Sequence, residues 1–104
     1  MNSTEIPGDE IARPLDALLL RVRYLASPRP YVEPRVNDAE TLAALKPRVL
    51  EHFGLAEGDV NGGRKEYVFA DDGVVQTNLN VTIGELSDGK RTLLLTLLEQ
   101  FVQG

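Results

Sequence analysis

The stretch Arg91-Thr92-Leu93-Leu94-Leu95-Thr96-Leu97-Leu98-Glu99-Gln100-Phe101-Val102-Gln103-Gly104 decides the fold, because it has two readings. Spaced as a helix, Leu94, Leu97, Leu98 and Phe101 share one face, with Ser87 or Asp88 as a cap. Spaced as a strand, Leu93, Leu95 and Leu97 share one face. Leucine's intrinsic preference favours the helix. The threonines, and a central position flanked by other strands, favour the strand. Local pattern leaves the two readings balanced, so the elements upstream carry the decision.

Immediately before this stretch, Ser87-Asp88-Gly89-Lys90 reads as a turn. Further back, Lys65–Ala70 reads as a strand closed by Asp71-Asp72-Gly73, and Asp-Gly is a hairpin signal. A strand resumes at Val74-Val75; a long strand alternating through Thr77, Leu79, Val81 and Ile83 and a short strand followed by a turn both fit. Ala56–Arg64 reads as a polar loop with a tight turn at Asn61-Gly62. Ala39–Phe53 carries Leu42, Leu45, Val49 and Phe53 on one helical stripe, with Asn37-Asp38 as N-cap candidates and Gly54 as a left-handed terminator. Pro47 removes the bond to the Ala43 carbonyl and predicts a kink or two short helical pieces. Leu18–Leu25 alternates as a strand, Ser27-Pro28-Arg29-Pro30 turns, and Tyr31–Val36 returns. Pro34 cannot donate to a ladder, which predicts a sheet edge or a bulge there.

Composition narrows the function. The 104 residues form one domain with a modest core. Sixteen acidic residues against 11 basic ones give a net charge of −5. That balance argues against nucleic acid and against an anionic membrane surface. With no cysteine and one histidine, disulfides, thiolate sites, a cysteine nucleophile and a histidine-pair metal site are all excluded. The apolar run at Leu93–Leu98 is far too short to span a bilayer, and the polar, acidic start is not a signal peptide. The expectation is a soluble cytoplasmic protein that is not an enzyme and holds no cofactor or metal. Residues 1–16 read as a flexible tail, 17–98 as the folded domain and 99–104 as a C-terminal tail.

The order hairpin, helix, strand, strand, final apolar segment is that of a β-grasp domain, and here the chain resembles ubiquitin. The span from Val22-Arg23-Tyr24-Leu25 to Phe53 has the spacing of ubiquitin's first hairpin and helix. Tyr67-Val68-Phe69-Ala70 is similar to its third strand, Leu-Ile-Phe-Ala. Thr82-Ile83-Gly84-Glu85-Leu86 stands where ubiquitin has Thr-Leu-Ser-Asp-Tyr, and Thr92–Leu98 is similar to its last strand. The resemblance covers roughly residues 18–104 and is closest to bacterial ubiquitin-like modifiers. It implies an α+β β-grasp fold, a mixed sheet of four to five strands packed on one helix, with the leucine-rich segment as the central strand.

The resemblance also implies a function: a protein modifier activated at Gly104 and conjugated by separate enzymes. Glycine suits a carboxyl group that must pass through narrow channels, because it lacks a side chain. Gln100, Phe101, Val102 and Gln103 would form the tail read by partner enzymes, with Phe101 as apolar anchor. Leu25, Val68, Thr96 and Leu98 would form a protein-binding patch on the open sheet face. The implied partners are an activating (adenylating) enzyme, a conjugating enzyme, a deconjugating protease and a target protein. Two other readings stay open: a non-covalent β-grasp adaptor, and a sulfur carrier, which ranks lower because the penultimate residue is Gln103 rather than Gly. His52 reads as a helix-end residue, Arg21, Arg23, Arg29 and Arg35 as a solvated basic face, and Lys46, Lys65 and Lys90 as the only lysines.

Overall fold

In the computed structural model, residues 17–103 are described. The expected N-terminal tail, 1–16, and Gly104 lie outside them. The described chain runs β1 (Leu18–Tyr24), β2 (Tyr31–Val36), α1 (Leu42–Phe53), β3 (Gly58–Val60), β4 (Gly63–Asp71), β5 (Val74–Val75), α2 (Ile83–Ser87) and β6 (Thr92–Gln103). The strand order is β2-β1-β6-β4-β3, with β5 also pairing β4. β6 lies parallel to β1 and antiparallel to β4, so the sheet is mixed and the fold is α+β.

The strand reading of the leucine-rich segment therefore holds. Leu93, Leu95 and Leu97 are buried, whereas Leu94 and Leu98 are exposed. The segment bonds to β1 on one edge and β4 on the other, from Leu20↔Leu93 to Tyr24↔Leu97 and from Asp71↔Leu95 onward. A helix there would leave two inner strand edges without partners, a cost that outweighs leucine's modest helical preference.

Two expectations about extent are corrected. Among the described residues the sheet has six strands and carries two helices, not four to five strands on one helix. The additional strand β3 lies in what reads as loop: three residues joined to β4 across Asn61-Gly62, with Gly62 at φ 81°. The additional helix α2 begins at a capping box in which Thr82 and Glu85 satisfy each other's backbone N–H groups. The boundary between domain and tail also disappears. Residues 99–103 continue β6, in register with β4 from Tyr67↔Glu99 to Gly63↔Gln103.

Helix α1 starts later than its pattern predicts. Thr41, not Asn37 or Asp38, is the N-cap, its hydroxyl accepting from the Ala44 N–H at 3.2 Å. The preceding backbone is held by α2: the Gly84 and Ile83 N–H groups donate to the Asp38 and Glu40 carbonyls, each at 2.8 Å. A side chain at Gly84 would sit 2.9 Å from the Asp38 carbonyl, so this crossing requires glycine. Pro47 does not split the helix. It is exposed, and the carbonyl it frees belongs to Ala43, itself exposed, so the lost bond leaves no buried polar group without a partner. At the other end Gly54 adopts φ 70°, and the Gly54 and Leu55 N–H groups close a Schellman motif on Glu51 and Leu50.

The core lies between α1 and one face of the sheet. Leu42, Leu45 and Val49 from α1 meet Leu20, Val22, Phe69, Tyr67, Leu95 and Leu97, all fully or almost fully buried. Phe53, expected on the same stripe, is half-buried against this cluster. The Asp72-Gly73 hairpin forms as predicted, with φ 53° and 82°, between paired Asp71 and Val74. At β2 both expectations for Pro34 are met. The strand is an edge, and its register slips by one residue between Val36 and Glu33, around Pro34-Arg35.

Candidate functional site

Strand alternation sends one set of side chains to the core and the other to the sheet's open face. On β6 the open-face residues are Leu94, Thr96, Leu98, Gln100 and Val102. Val68 stands directly across from Leu98, and Thr96 directly across from Ala70, so the structure places Val68, Thr96 and Leu98 on neighbouring positions of this face. Leu98 is 39% exposed. Leu25 follows Tyr24, the last residue of β1 that pairs with β6, and lies beyond that register. Its side chain is 90% exposed in the turn of the first hairpin. Val68, Thr96 and Leu98 form a strip on the open face rather than a cavity.

Beside the strip lies positive charge. Arg21 and Arg23 pair in register with Leu94 and Thr96 and are exposed. With Ser27, Pro28, Pro30 and Leu94, they line a hollow of about 380 Å³. None of Arg21, Arg23, Arg29 or Arg35 makes an ion pair among the described residues. The basic face expected there is thus solvated.

The expected tail residues Gln100, Phe101, Val102 and Gln103 are all exposed yet hydrogen-bonded as strand. Phe101 lies on the face opposite Val102, with its ring over Gly63: a side chain there would come within 2.8 Å of the ring. At the base of this segment the buried Tyr67 hydroxyl donates to Glu99 Oε1 at 3.3 Å. Burial, together with the Glu99 carboxylate, pushes the Tyr67 phenol up to about 12. Gly104, the expected conjugation residue, is outside the described residues.

Two polar clusters went unread in the sequence. Arg48 on α1 holds Glu40, with Nη2 at 2.7 Å from Oε1, and also reaches Glu33 at 3.0 Å and the Tyr31 hydroxyl at 3.4 Å. The hydrogen bond from Arg48 holds the Glu40 carboxyl below its ordinary value. Burial raises the Tyr31 phenol. The second cluster joins Lys46 to Glu57 at 2.7 Å, while the Tyr67 N–H donates to Glu57 Oε2 at 2.8 Å. Burial works to raise the Glu57 carboxyl, but Lys46 and the Tyr67 N–H prevail and hold it low. These partners lie eight to 17 residues apart, beyond any local spacing rule. Both clusters brace α1, or the loop after it, against the strands.

His52 is exposed and makes edge contacts with Tyr31 and Phe53 at ring distances of 5.3 and 4.7 Å. Among the described residues no three His, Asp or Glu side chains converge as metal ligands, and no helix is long and apolar enough to cross a membrane. What the geometry offers is surface: an open-face strip with flanking arginines, and a projecting strand end. No protein-family model and no curated protein matches this chain.

Proposed function

We propose that the chain is a β-grasp, ubiquitin-like protein modifier activated at Gly104. The observation that carries the reading is the topology around β6. A first hairpin and a helix precede a last strand that enters the sheet centre, parallel to β1 and antiparallel to β4. That strand carries the described chain to Gln103, the residue before Gly104. In the proposed reaction the Gly104 carboxylate attacks the α-phosphate of ATP and displaces pyrophosphate. An enzyme thiolate then attacks the resulting acyl adenylate, forming a thioester and releasing AMP. An amine of the target finally displaces the thiolate and loses a proton. The open strip of Val68, Thr96 and Leu98, together with Leu25, would dock the partner enzymes.

The test is incubation of the full chain with ATP and an adenylating enzyme encoded beside it, read by pyrophosphate release and intact mass. A Gly104-linked adenylate, thioester or conjugate is expected. If none forms, and deleting Gly104 changes no cellular phenotype, the modifier reading falls.

A second reading, a non-covalent adaptor, is favoured by one observation: residues 99–103 are paired with β4 instead of hanging free. An adaptor needs no free carboxyl group. Full function with a tag fused after Gly104 would select this reading.

A further inference from the structure

β6 is flanked on both sides only as far as Leu97. Beyond Tyr24↔Leu97, β1 turns away, while pairing with β4 continues to Gly63↔Gln103. Among the described residues, the last part of the central strand therefore presents one bare edge.

The direction of the main-chain groups along that edge follows from alternation. The Tyr67 N–H donates to Glu57, and the Phe69 carbonyl accepts from the Gln76 N–H at 2.8 Å. Both contacts lie on the side of β4 away from β6. In an antiparallel ladder, residues two apart point the same way, and the residue opposite each of them points away from the shared ladder. Gly63, Lys65 and Tyr67 thus turn from β6, and their partners Gln103, Phe101 and Glu99 aim N–H and C=O outward, into the bare edge. The Leu19 N–H donating to the Arg91 carbonyl at 2.8 Å sets the same sense at the other end, where odd-numbered residues of β6 face β1.

Sheet edges are ordinarily guarded by proline, lysine, bulges or brevity. β2 has Pro34 and a bulge, and β3 is three residues long. Glu99–Gln103 has no proline, no lysine and an unbroken register, and its Phe101 is 53% exposed.

We propose that this edge joins two copies of the chain, β6 pairing antiparallel with β6 of the second copy about a twofold axis at Phe101. Only registers that match outward-facing residues are allowed, and centring on Phe101 uses all of them. Phe101 meets Phe101 of the second copy, and Glu99 meets Gln103 of the second copy at both ends, each pair exchanging two backbone hydrogen bonds. The lone charge of the segment faces an amide and never its own image. That self-complementarity selects a second copy over a foreign strand. The proposal is independent of the modifier reading, since it requires no enzyme and no activation.

The experiment is sedimentation of the full 11.4-kDa chain between about 10 µM and about 1 mM, the range in which a weak edge contact is populated. A concentration-dependent rise towards twice the monomer mass is expected, with Phe101 and Gln103 amides gaining protection from exchange as the dimer fills. Charge variants read the register. Q103K places a cation opposite Glu99 at both ends and should tighten the dimer at least about threefold, an effect lost in high salt. Q103E opposes like charges and should weaken it by a similar factor. F101P removes an outward donor without touching the β4 ladder and should abolish the dimer. A chain that stays monomeric throughout overturns the proposal. So does a dimer indifferent to all three variants, or one lost instead in L94K on the open face.

Discussion

The two halves of β6 share one backbone conformation and almost nothing else. Leu93–Leu97 is paired with β1 throughout and with β4 as well from Leu95 onward, and its inward leucines are buried in the core. Glu99–Gln103 is paired on one edge and exposed throughout. The first half is held by what surrounds it, the second by a single ladder and one aromatic ring over a glycine. Strand geometry alone therefore says little about stability; the number of covered sides says most of it.

That contrast can be broken most forcefully from its strong side. Leu95→Ala empties a fully buried position and should cost about 3 kcal/mol in a urea melt. A cost below about 1 kcal/mol would mean the inner half is no better held than the outer. Next comes Gly63→Ala, whose new methyl would collide with the Phe101 ring and the Val102 carbonyl. It should cost about 1–2 kcal/mol, with faster amide exchange confined to residues 99–103. Exchange spreading into Leu93–Leu97 would show the halves to be one cooperative unit.

A smaller effect is expected at the junction's support. Glu57→Gln should cost roughly 1 kcal/mol near neutral pH by weakening the link between Lys46 and the Tyr67 N–H. Glu57 and Glu40 both titrate below the usual 4.5 when folded, so their contribution is intact above that value and disappears as the pH falls through their folded pKa values. Glu57→Gln should flatten that acid limb, and an unchanged limb would remove Glu57 from the account. On the alkaline side Tyr67 binds its proton more tightly when folded, so stability should decline between 10.0 and about 12. The smallest change is Glu99→Ala, with less than about 0.5 kcal/mol. Its check is the alkaline limb, whose upper end should fall below about 12 because the carboxylate that helps raise the Tyr67 pKa in the folded state is gone while burial remains, so less stability is lost there.

Much of this molecule was legible because its signals are local. The Asp72-Gly73 hairpin, the Gly54 terminator and the Leu42–Leu45–Val49 stripe depend on residues within a turn or two of one another. The open-face placement of Val68, Thr96 and Leu98 came from the resemblance to ubiquitin, and the register of β4 and β6 is what sets them on neighbouring positions. β3 was missed because three residues with a glycine carry no periodic signal and exist as strand only by pairing with β4. The start of α1 was misplaced because Asp38 and Glu40 give their carbonyls to α2, more than 40 residues away. The Arg48 cluster was missed for the same reason.

From composition and pattern alone come an acidic chain without cysteine, a hairpin and amphipathic helix ahead of a leucine-rich end, and the turns between them. These rest on side-chain size, charge and backbone freedom, which each residue carries wherever it sits. Whether Leu93–Leu98 is helix or strand, and how far beyond it the ladder extends, is not written there. Both periods fit, and the choice is made by two distant edges, β1 and β4, whose unpaired N–H and C=O groups are satisfied only when this segment lies straight between them.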